Sequence, residues 1–346
     1  MASSDAQSAA LVAAAPAYRP VIETGPRVLA KFVAGMAVVL LPLPLALGDS
    51  YWLDILIFTY LMAGLAGAWN IIGGFGGQFS LGHGVFFGVG AYVAAILYTD
   101  AGVSPWLGLL GGTALGAAVA LLISWPTFRL RGPFFAIATM AFNQVAFVLV
   151  NYLNWPTNGP RGILIPFHAG FANMIFVQRW RYGMLMFTYL VLVTGTALLL
   201  QRSRLGYALL ALREDEDAAR AAGIDVLGAK LKGMAISAAL TAIGGALFAM
   251  YLRFIDPPTV FSLPDVGVRF ALLALIGGIG TLIGPILGAA LIVPIENALR
   301  ANITASWPGA DLVILGAVMV LAARFFRRGV AGAVTDLLGA IGRRPQ

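Results

Sequence analysis

Apolar stretches of about twenty residues, separated by short polar or glycine-rich joints, run along most of the chain. A helix needs roughly 20 consecutive apolar residues to cross the hydrocarbon core of a bilayer. Such stretches fall at 28–48, 52–72, 80–98, 105–125, 133–153, 183–200, 232–251, 266–282, 284–299 and 310–326. The pattern predicts an all-α integral membrane protein of about ten transmembrane helices. Residues 266–299 form one glycine-rich stretch, which reads as two short helices or one broken one. Two long polar interruptions stand out, at 154–182 and 201–231.

Composition agrees. Sixty per cent of the 346 residues are hydrophobic and only 11% are charged, whereas a soluble domain carries roughly 25% charged residues. This excludes a disordered chain and a protein devoted to nucleic acid. The absence of cysteine excludes thiol chemistry and Cys-based metal sites. The 42 glycines suit close helix packing in lipid. The net charge of +7 reads as a mark of orientation. With ten spans and both termini inside, sixteen of the 22 basic residues fall on the cytoplasmic side and six outside, as the positive-inside rule requires. Residues 1–27 lack the basic start and short apolar core of a signal peptide. They read as a cytoplasmic tail, residues 28–326 as the membrane domain and 327–346 as a second cytoplasmic tail.

The inner interruption, 201–231, carries the most specific signal. Four acids, Glu214, Asp215, Glu216 and Asp217, open an alanine-rich run that ends at Gly223. Acids favour a helix N-terminus, alanine favours the helix interior, and glycine accepts the left-handed turn that stops it. The pattern predicts a short capped helix over 214–222, outside the bilayer, as a docking element would be.

Asp217-Ala218-Ala219-x-x-x-Gly223 resembles the EAA loop of ABC-importer permeases. The wider string from Arg202 to Lys232 is most similar to branched-chain amino-acid permeases of LivM type. Aspartate stands where that motif has glutamate, and Gly233-Met234-Ala235-Ile236 stands where many importers carry Ile-x-Leu-Pro. Three further blocks match in order. They are Asn70-x-x-x-Gly74-x-x-Gly77-Gln78-x-Ser80-Leu81-Gly82-His83, Arg131-Gly132-Pro133-Phe134-Phe135-Ala136, and Gly277-Gly278-Ile279-Gly280-Thr281-Leu282-Ile283-Gly284-Pro285. The resemblance implies a permease subunit in the bacterial inner membrane, coupled through Glu214, Asp215, Glu216, Asp217, Ala218, Ala219 and Gly223 to a cytoplasmic ATPase. It implies a homologous second permease, two ATPase subunits and a periplasmic solute-binding protein as partners. The cargo it implies is leucine, isoleucine, valine or a related amino acid; similar permeases serve urea, short amides and aromatic acids.

The chain has no phosphate-binding loop, since its lysines are Lys31, Lys230 and Lys232 and none follows a glycine. ATP and Mg are therefore expected on partner subunits, with no cofactor on this chain and no catalytic residue. His83 and His168 stand alone, without metal-ligand spacing.

Polar residues inside spans usually face a cavity or a partner helix. Asn70, Gln78, Ser80 and His83 crowd a glycine-rich segment, which predicts a broken helix lining a translocation path. Gly277-Gly278-x-Gly280 echoes Gly73-Gly74-x-Gly76, and such an echo between two halves is the pattern of an inverted repeat. Thr139, Asn143 and Gln144 extend the candidate path to the fifth span, where Thr139 and Asn143 share a face. Gly84/Gly88, Gly108/Gly112 and Gly284/Gly288 have the spacing of helix-packing pairs. In the outer interruption, Trp155, Arg161 and Arg179 are candidates for contact with a binding protein, or for an interfacial belt. An ion-coupled transporter needs an ionisable group deep in the bundle; Lys31, Asp54, Arg269 and Glu296 all sit near span ends. A membrane-embedded enzyme needs clustered catalytic groups, and none is present in the sequence.

Overall fold

The computed structural model describes residues 40–48 and 50–302, together with isolated positions at 35, 313, 316 and 329–332. Most of the expected 28–48 span and of the 310–326 span lie outside the described residues, as do the N-terminal tail and most of the C-terminal one.

The described chain is a helical bundle. After a short α1 (Leu43–Leu47) come α2 (Tyr51–Asn70), a π-helical turn (Ile71–Phe75), α3 (His83–Thr99), α4 (Pro105–Thr127) and α5 (Pro133–Tyr152). An outer segment follows, with a two-residue strand β1 (Ile163–Leu164). Then come α6 (Arg179–Gln201), α7 (Arg204–Glu214), α8 (Glu216–Ala221) and α9 (Val226–Leu252). The last part holds β2 (Phe254–Ile255), α10 (Pro257–Phe261), a second π turn (Leu263–Val268), α11 (Arg269–Gly278) and α12 (Gly284–Asn302). β1 pairs antiparallel with β2, Ile163 opposite Ile255.

Six described helical segments are long and apolar enough to cross a membrane: Tyr51–Phe75, Pro105–Thr127, Pro133–Tyr152, Arg179–Gln201, Val226–Leu252 and Pro257–Gly278. α3 is apolar but shorter, and α12 contains Pro294. The eighth expected span starts earlier than the pattern indicated, at Pro257 rather than 266. Two prolines open it, and proline fits the first turn of a helix, where its missing N–H costs nothing. The π turn then carries the segment on into α11.

α2 is the central element and packs against α6, α9, α11 and α12, while α9 packs on α3 and α4. Small residues let these backbones approach. A Cβ at Gly90 would collide with the Ala242 carbonyl, and one at Gly245 with the Phe87 carbonyl. The glycine pairs behave as packing motifs: Gly108 faces Ala94, Gly112 faces Gly90, and Gly288 faces the Leu273 carbonyl. The Tyr189 ring fills the space over Gly64 and Gly244, and its hydroxyl donates to the Leu240 carbonyl at 3.0 Å. Threonine hydroxyls bond back to carbonyls four residues earlier, as Thr59 does to Ile55 at 2.7 Å and Thr241 to Ser237 at 2.8 Å. An apolar surrounding demands such internal satisfaction.

α5 is peripheral. Only Phe135, Thr139 and Asn143 along it are buried, one stripe at four-residue spacing. Phe134, Ile137, Val145, Val148 and Leu149 are exposed in the isolated chain.

Candidate functional site: a hub between the broken helix and the inner helices

Three parts of the chain meet where α2 ends. The first is the break itself. Beyond Asn70 the helix widens into the π turn, and the Gln78 amide reaches the Ile72 carbonyl at 3.0 Å. Gly77 holds φ +66 against the Arg213 side chain, a conformation and a proximity that leave no room for a Cβ. The Trp69 indole donates to the Ser80 carbonyl at 2.7 Å and closes the turn. The chain then re-enters a helix at His83. The expectation of a broken helix at this position therefore holds.

The second part is the other glycine-rich joint. Asn70 Nδ2 donates to the Thr281 carbonyl at 2.8 Å, and its Oδ1 accepts from the Gly280 amide at 2.8 Å. One side-chain amide thus satisfies both backbone groups of a segment outside any helix. Gly74 and Gly280 lie back to back. The two echoing glycine motifs are in direct contact.

The third part is the inner pair of helices. Sequence pattern predicts one helix over 214–222; the structure has two. α7 already forms from Arg204 to Glu214, so Glu214 ends a helix rather than opening one. The reason is Asp215. Its backbone is extended, at φ −157, and its carboxylate accepts from the Asp217 and Ala218 amides at 2.8 and 3.0 Å. That is an N-cap, and it divides the acid run. α7 was missed because its apolar run, from Leu205 to Leu212, is too short to cross a bilayer and lies inside a polar interruption; Leu209 and Leu212 are buried, as is Gly206. The far end of α8 matches the expectation. Gly223 holds φ +84, with Ile224 N–H bonded to the Ala219 carbonyl and Gly223 N–H to Arg220, the Schellman pattern of a helix stop.

Side chains then tie α8 and α7 to the break. Glu216 Oε1 accepts from Gln78 Nε2 at 3.2 Å and pairs with the Lys230 ammonium of α9. Lys230 is 1% exposed, and that carboxylate is the partner of its buried ammonium. The ammonium also lies 5.6 Å from the Phe128 ring centroid. Arg213 donates to the Gly74 carbonyl at 3.0 Å. Asp217 takes a two-pronged pair from Arg131 at 2.9 and 3.0 Å, with Arg220 at 3.3 Å. This exposed pair holds the Asp217 carboxyl below its ordinary range, chiefly through the hydrogen bond from Arg131 and then through its charge. Arg131 is raised for the same two reasons. Neither Lys230 nor Arg213 was singled out from sequence: a lysine near a span end normally reads as a topology mark. The Arg131-Gly132-Pro133 block was quoted as a motif, with no role given to the arginine.

A cavity of about 420 Å³ lies beside the break, lined by Gly77, Gln78, Phe79, Phe135, Ala136 and Ile137 among others. Of the candidate path residues, only Gln78 lines it. His83 is fully buried, with Nε2 2.9 Å from Ser237 Oγ, and Ser237 donates to the Ala68 carbonyl at 2.6 Å. Ser80 is buried and its hydroxyl accepts from the Gly82 amide at 3.3 Å. Thr139 accepts from the Leu81 amide at 3.0 Å, and Asn143 donates to the Phe261 carbonyl at 2.8 Å. Thr139 and Asn143 do share one face, turned inward. Gln144 is exposed on the outer side of α5.

The outer candidates are dispersed. Trp155 is 82% exposed. Arg161 sits in a 3-10 turn over Gly159–Arg161. Arg179 begins α6 and pairs with Asp54 at 2.7 Å. Among the described residues, no group of three His, Asp or Glu side chains could hold a metal.

These features define a multi-pass helical membrane protein with a capped inner helix wired to a break in its central span. The family described as "Branched-chain amino acid transport system / permease component" matches residues 51–323, and the chain belongs to it. The chain is 31% identical to the high-affinity branched-chain amino acid transport system permease protein LivM of Salmonella typhimurium, over 78% of this chain and 67% of the relative. It is 32% identical to LivM of Escherichia coli, over 77% of this chain and 66% of that relative. The chain thus spans about two thirds of the length of these relatives. It is 26% identical to the LivH permease of Salmonella typhimurium, over 70% of this chain and 82% of that one. No solved structure matches the chain.

Proposed function

We propose that this chain is one of the two membrane-spanning subunits of an ATP-driven importer in the bacterial inner membrane. Its cargo would be branched-chain or other hydrophobic amino acids, as its likeness to the LivM and LivH permeases suggests. The resemblance to both relatives supports a homologous permease as its partner, and the exposed apolar face of α5 offers surface for that partner or for lipid. Two ATPase subunits would carry ATP and Mg and dock on α8, and a periplasmic binding protein would deliver cargo at the outer segment. Both termini would lie in the cytoplasm.

The observation that carries this reading is the placement of Glu216. It stands at the start of α8, and its carboxylate bonds both a buried lysine of α9 and the amide of Gln78 in the break. A push on α8 therefore reaches α2 and α3 through a short, stiff chain of charged and amide contacts. Arg213 adds a second link, to Gly74. Two-state coupling needs such a rigid element with different contacts in each state. An ion-coupled carrier fits less well, because Asp54, Arg269 and Glu296 are each engaged in ion pairs.

The test is co-purification. The tagged chain, co-expressed with its genomic neighbours, is expected to bring down an ATPase. Gly223→Pro and Asp217→Lys should abolish this. A chain that purifies alone and moves amino acids under an ion gradient in liposomes contradicts the proposal.

A further inference from the structure

A second cavity, of about 440 Å³, opens where α2 and α6 begin and α9 ends, at the opposite end of α9 from the hub. Its size falls in the range of small-molecule sites. Two of its charges neutralise each other: Arg179 pairs with Asp54 at 2.7 Å, and the Tyr251 hydroxyl donates to the other Asp54 oxygen at 2.8 Å. A third charge is left over. Arg253 caps α9 with φ +61, a left-handed turn that a non-glycine residue rarely adopts. Its guanidinium lies 5.1 Å from the Phe167 ring centroid, and no carboxylate among the described residues pairs with it. Tyr182 also lines the cavity, and its hydroxyl lies at this end of α6. It accepts from the Phe176 amide at 3.2 Å, which leaves its own hydrogen to donate. Phe58, Phe167 and Phe176 supply apolar walls.

We propose that this cavity is a binding site for a small monocarboxylate with an apolar body, held by the Arg253 guanidinium and the Tyr182 hydroxyl while the phenylalanines cover the apolar part. The charge count selects the class. One uncompensated arginine balances one negative charge, and its planar fork matches a carboxylate in two-pronged geometry. The site needs neither transport nor a partner subunit, so it stands apart from the function proposed above.

The test is calorimetric titration of isocaproate into the full chain in phosphatidylcholine nanodiscs. Saturable binding is expected. Acetate, which lacks the apolar body, and 4-methylpentanol, which lacks the charge, should each bind at least about tenfold more weakly. Arg253→Gln should weaken isocaproate by about tenfold or more, with Arg253→Lys between it and the wild type. Phe167→Ala weakens it without touching the charge, and serves if the arginine variants do not fold. Absence of saturable binding to the wild type overturns the proposal. So does an affinity unchanged in the folded variants. Loss of binding in phosphatidylglycerol nanodiscs would give the cavity to anionic lipid and also overturn it.

Discussion

Gln78 and Glu216 are 138 residues apart in sequence and 3.2 Å apart in the fold. One belongs to the break after the central span, the other to the first turn of the short inner helix. The same carboxylate oxygen receives the Lys230 ammonium. Any displacement of α8 must break these contacts or carry the break along with it.

This joint makes stability and coupling separable. Glu216→Gln leaves a buried ammonium without its counter-charge and should destabilise the chain by about 3–5 kcal/mol. The double variant Glu216→Leu, Lys230→Met removes both charges and should recover most of that loss, since apolar replacement of a buried ion pair is often neutral. Thermal denaturation in detergent checks both. If the double variant melts as low as the single one, the ion pair is not the cause.

Asn70 should behave as a clamp. Asn70→Leu strands the Gly280 amide and the Thr281 carbonyl, each loss worth about 1–3 kcal/mol. Hydrogen exchange at 278–284 should rise in the variant while α9 keeps its protection. Equal exchange in both proteins would mean that the two glycine joints hold together without it.

Close packing predicts a sharp contrast between glycines. Gly90→Leu must push its side chain into the Ala242 backbone and should prevent a monodisperse, folded preparation. Gly195→Ala meets nothing within 4 Å and should keep or slightly raise the melting temperature. Size-exclusion profiles and melting curves decide it.

The exposed Arg131–Asp217 pair gives a pH signature. Because the folded carboxyl is held below its ordinary range, pairing is complete above that range and is lost only as pH falls through the lowered value. Spin labels on α8 and α5 should report separation only at that acid pH. Arg131→Gln should abolish the transition, since no ion pair is then left for acid to break. A transition at the same pH in both proteins contradicts the pairing.

Much of this was legible in the sequence, for stated reasons. The Gly223 stop was readable because a left-handed turn needs glycine, and the break near Gly76 and Gly77 because consecutive glycines weaken a helix. The contact between Gly74 and Gly280 was only an echo of spelling; their proximity is a tertiary fact. α7 escaped because its apolar run, from Leu205 to Leu212, is far too short for a span and sits within a polar interruption. His83, Ser80 and Asn143 were assigned to a path because polar groups in spans are costly. In the isolated chain each makes a helix-to-helix or turn hydrogen bond, while His83 Nδ1 and Asn143 Oδ1 are buried with no partner among the described residues. Sequence alone does not distinguish the two uses.

The central claim is that motion passes from α8 to the break through Gln78. The most direct measurement is leucine uptake alongside ATP hydrolysis in liposomes holding this chain with its permease, ATPase and binding-protein partners. Gln78→Leu removes the link on the membrane side and leaves the α8 surface intact. The account predicts that the ATPase still binds and hydrolyses at near its normal rate, while uptake falls by about tenfold, the loss expected from one hydrogen bond to a charged group. Uptake that stays at the wild-type level, with hydrolysis also unchanged, would contradict it.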